Sequence, residues 1–280
     1  DVQPERLENL VSALRKDLQF IGGAITMPYK ISIIPFLDDI ELEAKAIGAV
    51  NCIYRDKDKL IGTNTDGAGA LWSLENEMEG SMIGKQICLL GAGGAGFAVA
   101  AYLASAIGIN GSIVIVNRSI KSCNTLAAKL EGKCSVSIAE WPVSSEEISN
   151  ADILVNCTSI GFETLKKDSG GAFSLRGYTA LGPVADELRV ENGSGVEKRY
   201  CKSASTNIRM NFDKSLELLT AMNDPFIFDI IYQPELTMLL FISSLLGYRT
   251  LNGKAMNLEQ AVIAFDKATA VAGIRKSNTK

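Results

Sequence analysis

The feature that most constrains the fold is a short apolar run that breaks into a glycine-rich turn. Residues 87–90 read Ile-Cys-Leu-Leu, residues 91–96 read Gly-Ala-Gly-Gly-Ala-Gly, and an alanine-rich segment follows at 98–106. This order predicts a strand, a tight turn and the start of a helix. In a G-x-G-x-x-G turn the first glycine forms the turn, the second lets the backbone approach a pyrophosphate, and the third lets helix and strand pack closely. The segment therefore predicts a dinucleotide at the helix N-terminus, with an ordinary turn of an α/β core as the alternative.

The end of the next predicted strand indicates which dinucleotide binds. Residues 113–116 form that strand, and Asn117, Arg118, Ser119 and Lys121 follow it. An NAD site usually carries Asp or Glu here to accept from the ribose 2′-hydroxyl, whereas a 2′-phosphate needs a cation. The neutral amide, the guanidinium and the ammonium therefore favour NADP over NAD. The alternative is a polar loop with solvated charges.

Length and composition set wide limits that agree with a dinucleotide-binding enzyme. A chain of 280 residues, 47% of them hydrophobic, can bury one large core or two modest ones, and we expect two domains. The net charge of −4 and the lack of any long basic cluster argue against nucleic acid as a partner. The longest apolar stretch, 238–246, is too short to span a bilayer, and we expect no signal peptide. The six scattered cysteines predict buried thiols in a reducing, cytoplasmic compartment, without a zinc or other metal site.

The absence of histidine excludes several mechanisms. A dehydrogenase moves a proton as well as a hydride, and the common donors are a His-Asp pair, a zinc-bound alcohol, or a tyrosine assisted by a lysine four residues later. The chain lacks the histidine for the first and the ligands for the second, and none of its seven tyrosines has a lysine at that spacing. Ser-His-Asp hydrolysis is excluded as well. Lysine, carboxylate and unassisted tyrosine remain as proton carriers.

The spacing of apolar residues predicts a doubly wound α/β fold with a parallel sheet. The other predicted elements are a helix at 6–18, a strand at 24–27 ended by Pro28, a hairpin of strands 50–54 and 60–63, a helix at 68–78, and strands at 153–156 and 226–231. Residues 163–222 are too long for a minimal βαβ unit. They contain a predicted helix at 212–222, and we expect the rest to be a surface excursion, an insertion at about 163–210.

Eight segments spread over residues 24–261 together resemble the shikimate dehydrogenase family. In chain order they are 25–30 (ITMPYK), 48–51 (GAVN), 64–67 (NTDG), 91–96 (GAGGAG), 117–119 (NRS), 156–158 (NCT), 229–232 (DIIY) and 259–261 (EQA). The resemblance implies the NADP-dependent, reversible reduction of 3-dehydroshikimate to shikimate in the aromatic (chorismate) pathway. It also implies a Rossmann domain at 68–247 and a smaller α/β substrate-binding domain formed by 1–67 and 248–280. We expect a monomer or a homodimer.

Carried over residue by residue, the resemblance assigns the proton of the substrate's C3 hydroxyl to Lys30 and Asp66. A lysine whose charge is balanced by a close carboxylate can hydrogen-bond a developing alkoxide and pass a proton. We expect both residues on loops that follow strands, where sites are commonly built. Taken without the family, Lys30 would be a surface lysine and Asp66 a helix N-cap.

The resemblance also implies two sets of binding residues. The substrate-binding set is Thr26, Asn51, Thr65, Tyr232 and Gln260. The cofactor-binding set is Gly91, Ala92, Gly93, Gly94, Ala95, Gly96, Asn117, Arg118, Ser119, Lys121, Asn156, Thr158, Gly253 and Met256. Without the family, the polar members of both sets are ordinary strand-end, helix or cap residues, and the tyrosine is a core aromatic at a strand end.

Several positions depart from the family pattern. Two serines that bind the substrate carboxylate in the family would precede the position of Asp1. We expect an upstream segment outside this sequence, with a different mode of substrate binding, or none, as the alternative. Tyr29 stands where the family often has histidine, Ala24 replaces a frequent asparagine, and Ala255 replaces the second glycine of a motif near the nicotinamide. Two alternatives stay open: an enzyme that oxidises quinate or uses NAD, and a non-catalytic NADP-binding sensor. The retained proton-handling pair counts against the sensor.

Overall fold

The computed structural model describes residues 2–26, 28–162, 166–168, 171–173, 177–183 and 196–271, and their side chains except at 166–168, 171–173 and 196–204. The strands are β1 (Gly22–Ala24), β2 (Asp39–Ile40), β3 (Cys52–Asp56), β4 (Lys59–Thr63), β5 (Gln86–Leu90), β6 (Ser112–Asn117), β7 (Ser135–Glu140), β8 (Ile153–Asn156), β9 (Lys166–Asp168), β10 (Gly171–Phe173), β11 (Phe226–Asp229) and β12 (Arg249–Asn252). The helices are α1 (Leu7–Lys16), α2 (Tyr29–Ser32), α3 (Leu42–Ile47), α4 (Asp66–Glu77), α5 (Gly94–Ile107), α6 (Ile120–Leu130), α7 (Ser145–Ile148), α8 (Val196–Thr220), α9 (Met238–Leu245) and α10 (Lys254–Val271).

The N-terminal part forms a mixed four-stranded sheet in the order β1-β3-β4-β2. The predicted hairpin is confirmed, because β3 and β4 pair antiparallel around a turn in which Lys57 has a φ of 57°. The amphipathic helix predicted at 6–18 is confirmed as α1, which buries Leu7 and Val11 in the core of this part. Fully burying a Leu or Val side chain contributes roughly 1.5–3 kcal/mol. These contacts give the N-terminal part a hydrophobic core of its own.

The strand predicted at 24–27 begins earlier in the structure. β1 pairs antiparallel with β3 through its three residues and ends at Ala24. Met27 lies outside the described residues, and Pro28 stands at the N-cap of α2. Because proline lacks an N–H and fixes φ, it suits the start of a helix better than a place in a sheet.

The central sheet is entirely parallel and confirms the predicted doubly wound architecture. Its six strands run in the order β12-β11-β8-β5-β6-β7. From β5 the chain first moves through β6 and β7 on one side, and it then crosses to β8 on the other. The carboxyl ends of β5 and β8 therefore flank the point at which the strand order reverses, which is where ligands bind in such sheets.

Two strands of this sheet were not predicted from the sequence. β7 and β12 lie at the two edges, where strands are only partly buried. Their residues accordingly lack the continuous apolar run that marks β5 or β8. The domain boundary expected at residue 248 assigns β12 to the substrate-binding part, whereas its pairing with β11 makes it an edge strand of the parallel sheet. β11 also ends at Asp229, two residues before the predicted strand end.

The expected surface excursion at 163–210 is wrong for residues 178–182, which are buried. Ala180 and Leu181 are fully buried in the core cluster that covers one face of the parallel sheet. The helix predicted at 212–222 begins earlier, since α8 starts at Val196 and ends at Thr220. The remaining residues of the range, apart from β9 and β10, lie outside the described residues.

The last helix returns to the N-terminal part of the molecule. α4 packs against both α5 of the parallel-sheet region and α10. The approach of α4 to α10 is close, because a Cβ on Gly69 would lie 2.8 Å from the carbonyl oxygen of Met256. This packing carries Gln260 of α10 to the N-terminal end of α4.

Candidate functional site

A lysine and an aspartate that are distant in the sequence meet beside the N-terminal sheet. The Nζ atom of Lys30 lies 2.5 Å from Oδ2 of Asp66, and their side chains are 24% and 11% exposed. The sequence analysis expected both residues on loops. In the structure Lys30 lies in α2 and Asp66 is the first residue of α4. Thr65 holds the N-cap position of α4. The Asp66 carboxylate instead lies at the positive end of the dipole of α4 and pairs with a cation that solvent can still reach.

The side chain of Asn51 connects the other polar groups of this cluster. Its Nδ2 atom lies 2.8 Å from Oδ1 of Asp66, 3.0 Å from Oγ1 of Thr65 and 3.2 Å from Oε1 of Gln260. Its Oδ1 atom accepts from the backbone N–H of Thr65 at 2.9 Å. Because Asn51 binds one carboxylate oxygen and Lys30 the other, the orientation of the Asp66 carboxylate is fixed.

Backbone hydrogen bonds hold Lys30 and Asn51 in place. The N–H of Val50 donates to the carbonyl of Lys30 at 2.8 Å, and the N–H of Asn51 donates to Thr63 at 3.0 Å. Asn64 is a supporting residue that the sequence analysis did not single out, although it lies within the NTDG segment. Its Oδ1 atom accepts from the N–H of Asp66 at 3.1 Å, and its Nδ2 atom donates to the carbonyl of Ala49 at 3.0 Å.

The structure brings part of the expected substrate-binding set together. The hydroxyl of Thr65 donates to the backbone carbonyl of Gln260 at 2.9 Å, which joins α4 to α10. Thr26 is exposed just after β1, and Tyr232 is 46% exposed just after β11. Among the described residues, the side chains of Thr26 and Tyr232 make no hydrogen bond to the Lys30–Asp66 pair. Asn51, Thr65 and Gln260 therefore form one connected cluster, and the two others stand apart from it.

A second acidic residue, which the sequence analysis missed, links α10 to the N-terminal sheet. The Glu41 carboxylate accepts from Nζ of Lys267 at 2.7 Å, from the hydroxyl of Thr63 at 2.6 Å and from that of Tyr54 at 2.9 Å. Burial tends to raise the pKa of Glu41, but these three hydrogen bonds outweigh it and hold the pKa below its ordinary value. The anchored helix α10 is the one that carries Gln260.

The glycine turn after β5 has the geometry that a pyrophosphate needs. Gly91 has a φ of 100°, and a Cβ on Gly96 would overlap the carbonyl oxygen of Gly91. Around Gly93 and Gly94, by contrast, an added Cβ would meet no atom within 4 Å. Gly93 caps α5 without a side-chain hydrogen bond, so the first N–H groups of α5 are available to an anion. The predicted strand, turn and helix are confirmed, and the turn fits a dinucleotide.

The residues after β6 form a polar rim beside this turn. Ser119 caps α6 by accepting from the N–H of Ser122, and Nδ2 of Asn117 donates to the carbonyl of Ser119 at 3.3 Å. Arg118 and Lys121 are exposed on the same segment. The two cationic side chains therefore lie on the segment where the sequence predicts the 2′-phosphate of NADP, and their part in that site stays a prediction.

Gly253 and Met256 lie where β12 turns into α10. The N–H of Gly253 donates to the carbonyl of Ile231 at 3.0 Å, and a Cβ on Gly253 would overlap the carbonyl oxygen of Ile230. Only glycine permits this approach of the two backbones. Met256 is almost fully buried and belongs to the core between the sheet and α4.

The turn after β8 is held by a buried carboxylate that the sequence analysis did not assign to the site. Nδ2 of Asn156 donates to Oδ1 of Asp229 at 3.0 Å, and Oδ1 of Asn156 accepts from the N–H and the hydroxyl of Thr158 at 3.0 and 2.7 Å. Oδ2 of Asp229 accepts from the hydroxyl of Thr237 at 2.8 Å. Burial disfavours the charged form and raises the pKa of Asp229 to about 7, although its hydrogen bonds oppose the shift.

Comparisons with known proteins point to one family. Residues 1–53 match the family model of the shikimate dehydrogenase substrate binding domain, and residues 73–169 match that of shikimate / quinate 5-dehydrogenase. The shikimate dehydrogenase (NADP(+)) of Carboxydothermus hydrogenoformans is 32% identical over 276 residues, which cover 97% of this chain and 80% of that protein. The chain belongs to the shikimate dehydrogenase family.

Solved structures place this family member among related reductases. The crystal structure of shikimate 5-dehydrogenase from Listeria monocytogenes in complex with shikimate and NAD superposes with a TM-score of 0.71 at 26% identity, covering 98% of this chain and 82% of that one. The ligand-free 5-ketofructose reductase of Gluconobacter sp. strain CHM43 superposes with a TM-score of 0.68 at 27% identity, covering 98% and 86%. The shared fold therefore also serves a reductase that is named for another keto substrate.

Two further observations concern the described part of the chain only. There, the acidic and cysteine side chains form no group of three or more that is arranged to hold a metal ion. Of the helices in the same part, none combines the length and the apolar character that crossing a membrane requires.

Proposed function

We propose that this member of the shikimate dehydrogenase family is an NADP-dependent shikimate dehydrogenase that reversibly reduces 3-dehydroshikimate to shikimate. The observation that carries the proposal is the contact of 2.5 Å between Lys30 and Asp66, oriented by Asn51. The similarity of the chain to the Carboxydothermus enzyme, which is named for this activity and for NADP(+), also supports the proposal. The Listeria structure, which holds shikimate, supports the same substrate.

The chain's own residues handle the proton. When bound, the reduced cofactor NADPH would supply the hydride for reduction, and the oxidised form NADP⁺ would accept it in the reverse direction. The Lys30 ammonium donates a hydrogen bond to the C3 oxygen of the substrate and gives up a proton as that oxygen gains negative charge. In oxidation Lys30, then neutral, takes the hydroxyl proton back. Asp66 accepts from Lys30 in both directions and balances its charge, so the lysine keeps one position throughout.

The neighbouring polar groups bind the other ring substituents of the substrate. Asn51, Thr65 and Gln260 form one hydrogen-bonded cluster with Asp66, and we assign the ring hydroxyls to them. Thr26 and Tyr232, both exposed on segments after strands, complete the set. A site built to hydrogen-bond hydroxyl groups rejects analogues that lack them, because its polar groups would remain unpaired.

We assign the two ligands to different parts of the chain. NADP binds within residues 68–247, where the glycine turn and the rim after β6 lie, together with Gly253 and Met256. The substrate binds to residues 1–67 and to α10. The buried thiols of Cys88 and Cys157 are unpaired, and we propose a reducing, cytoplasmic location and a monomeric or homodimeric enzyme.

A second candidate is an enzyme with relaxed specificity for quinate or for NAD. The description of the matching family model includes quinate, and the Listeria structure contains NAD. Arg118→Asp tests the cofactor, because a carboxylate here repels a 2′-phosphate and accepts from a 2′-hydroxyl. The ratio of kcat/KM for NADP to that for NAD should fall by about tenfold or more, with Arg118→Ala between the two. An unchanged ratio would remove Arg118 from the 2′-phosphate site.

The function itself is tested by initial rates of NADPH formation from shikimate with NADP. The same rates are measured with quinate in place of shikimate and with NAD in place of NADP, on the full-length natural protein and on Lys30→Ala. We expect turnover of shikimate that falls by about 10²–10⁴-fold in the variant, while the Kd for NADP, measured by calorimetry, stays near that of the wild type. Binding of NADP without turnover of either polyol would favour a non-catalytic sensor. Turnover that survives Lys30→Ala would reject the assigned proton carrier.

A further inference from the structure

A row of residues across three neighbouring strands connects the buried Asp229 to the glycine turn. In the register of the parallel sheet, Leu90 of β5 lies beside Asn156 of β8, and Asn156 lies beside Asp229 of β11. The carboxyl ends of β5 and β8 flank the crevice in which sheets of this kind bind their ligands. Asp229 is fully buried one strand behind that crevice, so it has no direct access to a ligand.

The bonds along this row have a fixed direction. An amide side chain has a donor end and an acceptor end, and its neighbours decide which end points where. Oδ1 of Asp229 accepts from Nδ2 of Asn156, so Oδ1 of Asn156 must face the N–H and the hydroxyl of Thr158. Nδ2 of Asn156 also donates to the carbonyl of Ile160 at 3.3 Å. Among the described residues, this longer bond is the one that remains on the donor end of the amide if Asp229 is absent, so the amide, and the Thr158 that it holds, are then fixed less firmly.

The row ends against the glycine turn. The Cγ2 atom of Thr158 lies 2.9 Å from the place where a Cβ on Gly91 would be, and the hydroxyl of Thr158 accepts from the N–H of Ile160 at 3.1 Å. Thr158 therefore packs directly against the first residue of the turn, and a different position of Thr158 changes the wall of the crevice.

We infer that Asp229 is a positioning residue for the dinucleotide. It orients the amide of Asn156, which holds Thr158 against Gly91 and thereby shapes one wall of the cofactor crevice. The inference rests on the proposed function, because it takes NADP as the ligand of that crevice. Asp229 thus affects the affinity for the cofactor without contacting the cofactor.

The other partners of Asp229 allow this role to be separated from a general effect on stability. Its Oδ2 atom accepts from the hydroxyl of Thr237, which caps α9, and its Oδ1 atom also accepts from the N–H of Ile231 at 3.1 Å. Thr237→Val removes a hydrogen bond from the same carboxylate and the cap of α9, but leaves the bond to Asn156 intact. Asp229→Asn keeps a carbonyl oxygen that can face Asn156, while its amide can donate to the Thr237 hydroxyl.

The experiment measures the Kd for NADP by calorimetry, together with KM for shikimate, kcat and Tm. We expect Asp229→Ala to raise the Kd for NADP by about tenfold and to change KM for shikimate by less than about twofold, because the Lys30–Asp66 cluster lies beside the N-terminal sheet and, among the described residues, shares no partner with Asp229. Asp229→Asn should restore the Kd to within about threefold of the wild type. Thr237→Val should lower Tm with a Kd for NADP within about twofold of the wild type.

A second variant covers the case in which Asp229→Ala does not fold. Asn156→Ala interrupts the same row, so it should raise the Kd by a similar factor. Where Asp229→Ala does fold, the double variant should raise the Kd no further than either single variant. An unchanged Kd in the folded alanine variants would overturn the inference, and so would an equal rise in Thr237→Val. Wild-type protein that does not bind NADP would instead overturn the proposed function.

Discussion

Asp66 and Asp229 are two carboxylates with the same kind of neighbour, an asparagine amide, but they differ in exposure and in contact with a cation. Asp229 is the last residue of β11, whereas Asp66 begins α4 three residues after β4. Each accepts a hydrogen bond from an asparagine amide, at 2.8 Å from Asn51 and 3.0 Å from Asn156. Asp66 also contacts the Lys30 ammonium and stays partly accessible. Asp229 is fully buried, and among the described residues its hydrogen-bond donors are a hydroxyl, an amide and a backbone N–H, without a cation.

The difference shows how one local motif serves two purposes. A carboxylate that shares its site with a lysine and with solvent can remain charged while protons move beside it. A carboxylate among neutral donors in the core carries a raised pKa, and it contributes direction to its hydrogen bonds rather than charge. The asparagine amide fixes geometry in both cases, and the cation decides whether the site can do proton chemistry.

The same substitution at both aspartates is the strongest test of this contrast. Asp66→Asn removes the charge that balances Lys30, so kcat for shikimate oxidation should fall by about 10²–10³-fold. Asp229→Asn should reduce kcat by no more than about threefold, because the neutral amide resembles the protonated carboxyl in shape. Steady-state kinetics at saturating NADP measures both. Similar losses in kcat at the two positions would contradict the separation between chemistry and positioning.

The sequence predicted the local parts of this arrangement better than the distant ones. The glycine turn and its strand and helix lie within about 20 residues, so their pattern could be recognised directly. The pairing of Lys30 with Asp66 spans 36 residues; it was predicted through the family resemblance, and the structure brings the two side chains into contact. Thr26 and Tyr232 came from the same resemblance, and their part in the site stays a prediction.

The residues that the sequence analysis missed act through contacts between distant segments. Asp229 was missed. It lies 73 residues from the predicted Asn156, and their contact depends on β8 and β11 being neighbours in register. Glu41 and Lys267 are 226 residues apart and meet only because α10 returns to the first sheet. The edge strands β7 and β12 were missed for a related reason, since half-exposed strands lack a strong apolar pattern.

The pH dependence of stability should expose the buried carboxylate. Below about pH 4 Asp229 is protonated in both the folded and the unfolded chain. As the pH rises toward 7, the unfolded chain releases this proton while the folded protein keeps it, so the free energy of unfolding falls, and above about pH 7 this effect levels off. Asp229→Asn lacks the effect. The difference between the free energies of unfolding of the variant and the wild type should therefore shift in favour of the variant by up to about 4 kcal/mol from pH 4 to pH 8.

Urea unfolding of both proteins at several pH values measures this difference. The stability of the variant at a single pH is not the decisive quantity, because the substitution also changes hydrogen bonds that are independent of pH. A difference between the two unfolding free energies that stays constant from pH 4 to pH 8 would show that Asp229 is ionised in the folded protein throughout this range, and the contrast with Asp66 would then lose its electrostatic basis.

Glu41 should have the smallest effect on stability, and its pH dependence should have the opposite sign to that of Asp229. Its three hydrogen bonds lower its pKa, so its contribution is present above its ordinary value and is lost as the pH falls through the folded value. Glu41→Gln should cost about 1–2 kcal/mol near pH 7, reduced by the partial exposure of the Lys267 pair, and the cost should shrink toward pH 3. Glu43→Gln, two residues along on the exposed side of α3, is the matched control, with a change within about 0.5 kcal/mol.

Glu41→Gln also links stability to the substrate site. Loss of the Lys267 contact loosens the attachment of α10, which carries Gln260, so KM for shikimate should rise by about twofold while the Kd for NADP is retained. A rise in the Kd for NADP without a rise in KM would mean that α10 supports the cofactor side instead. In that case Glu41 would belong with Asp229 as a support for the dinucleotide, and Asp66 alone would be the carboxylate of the substrate site.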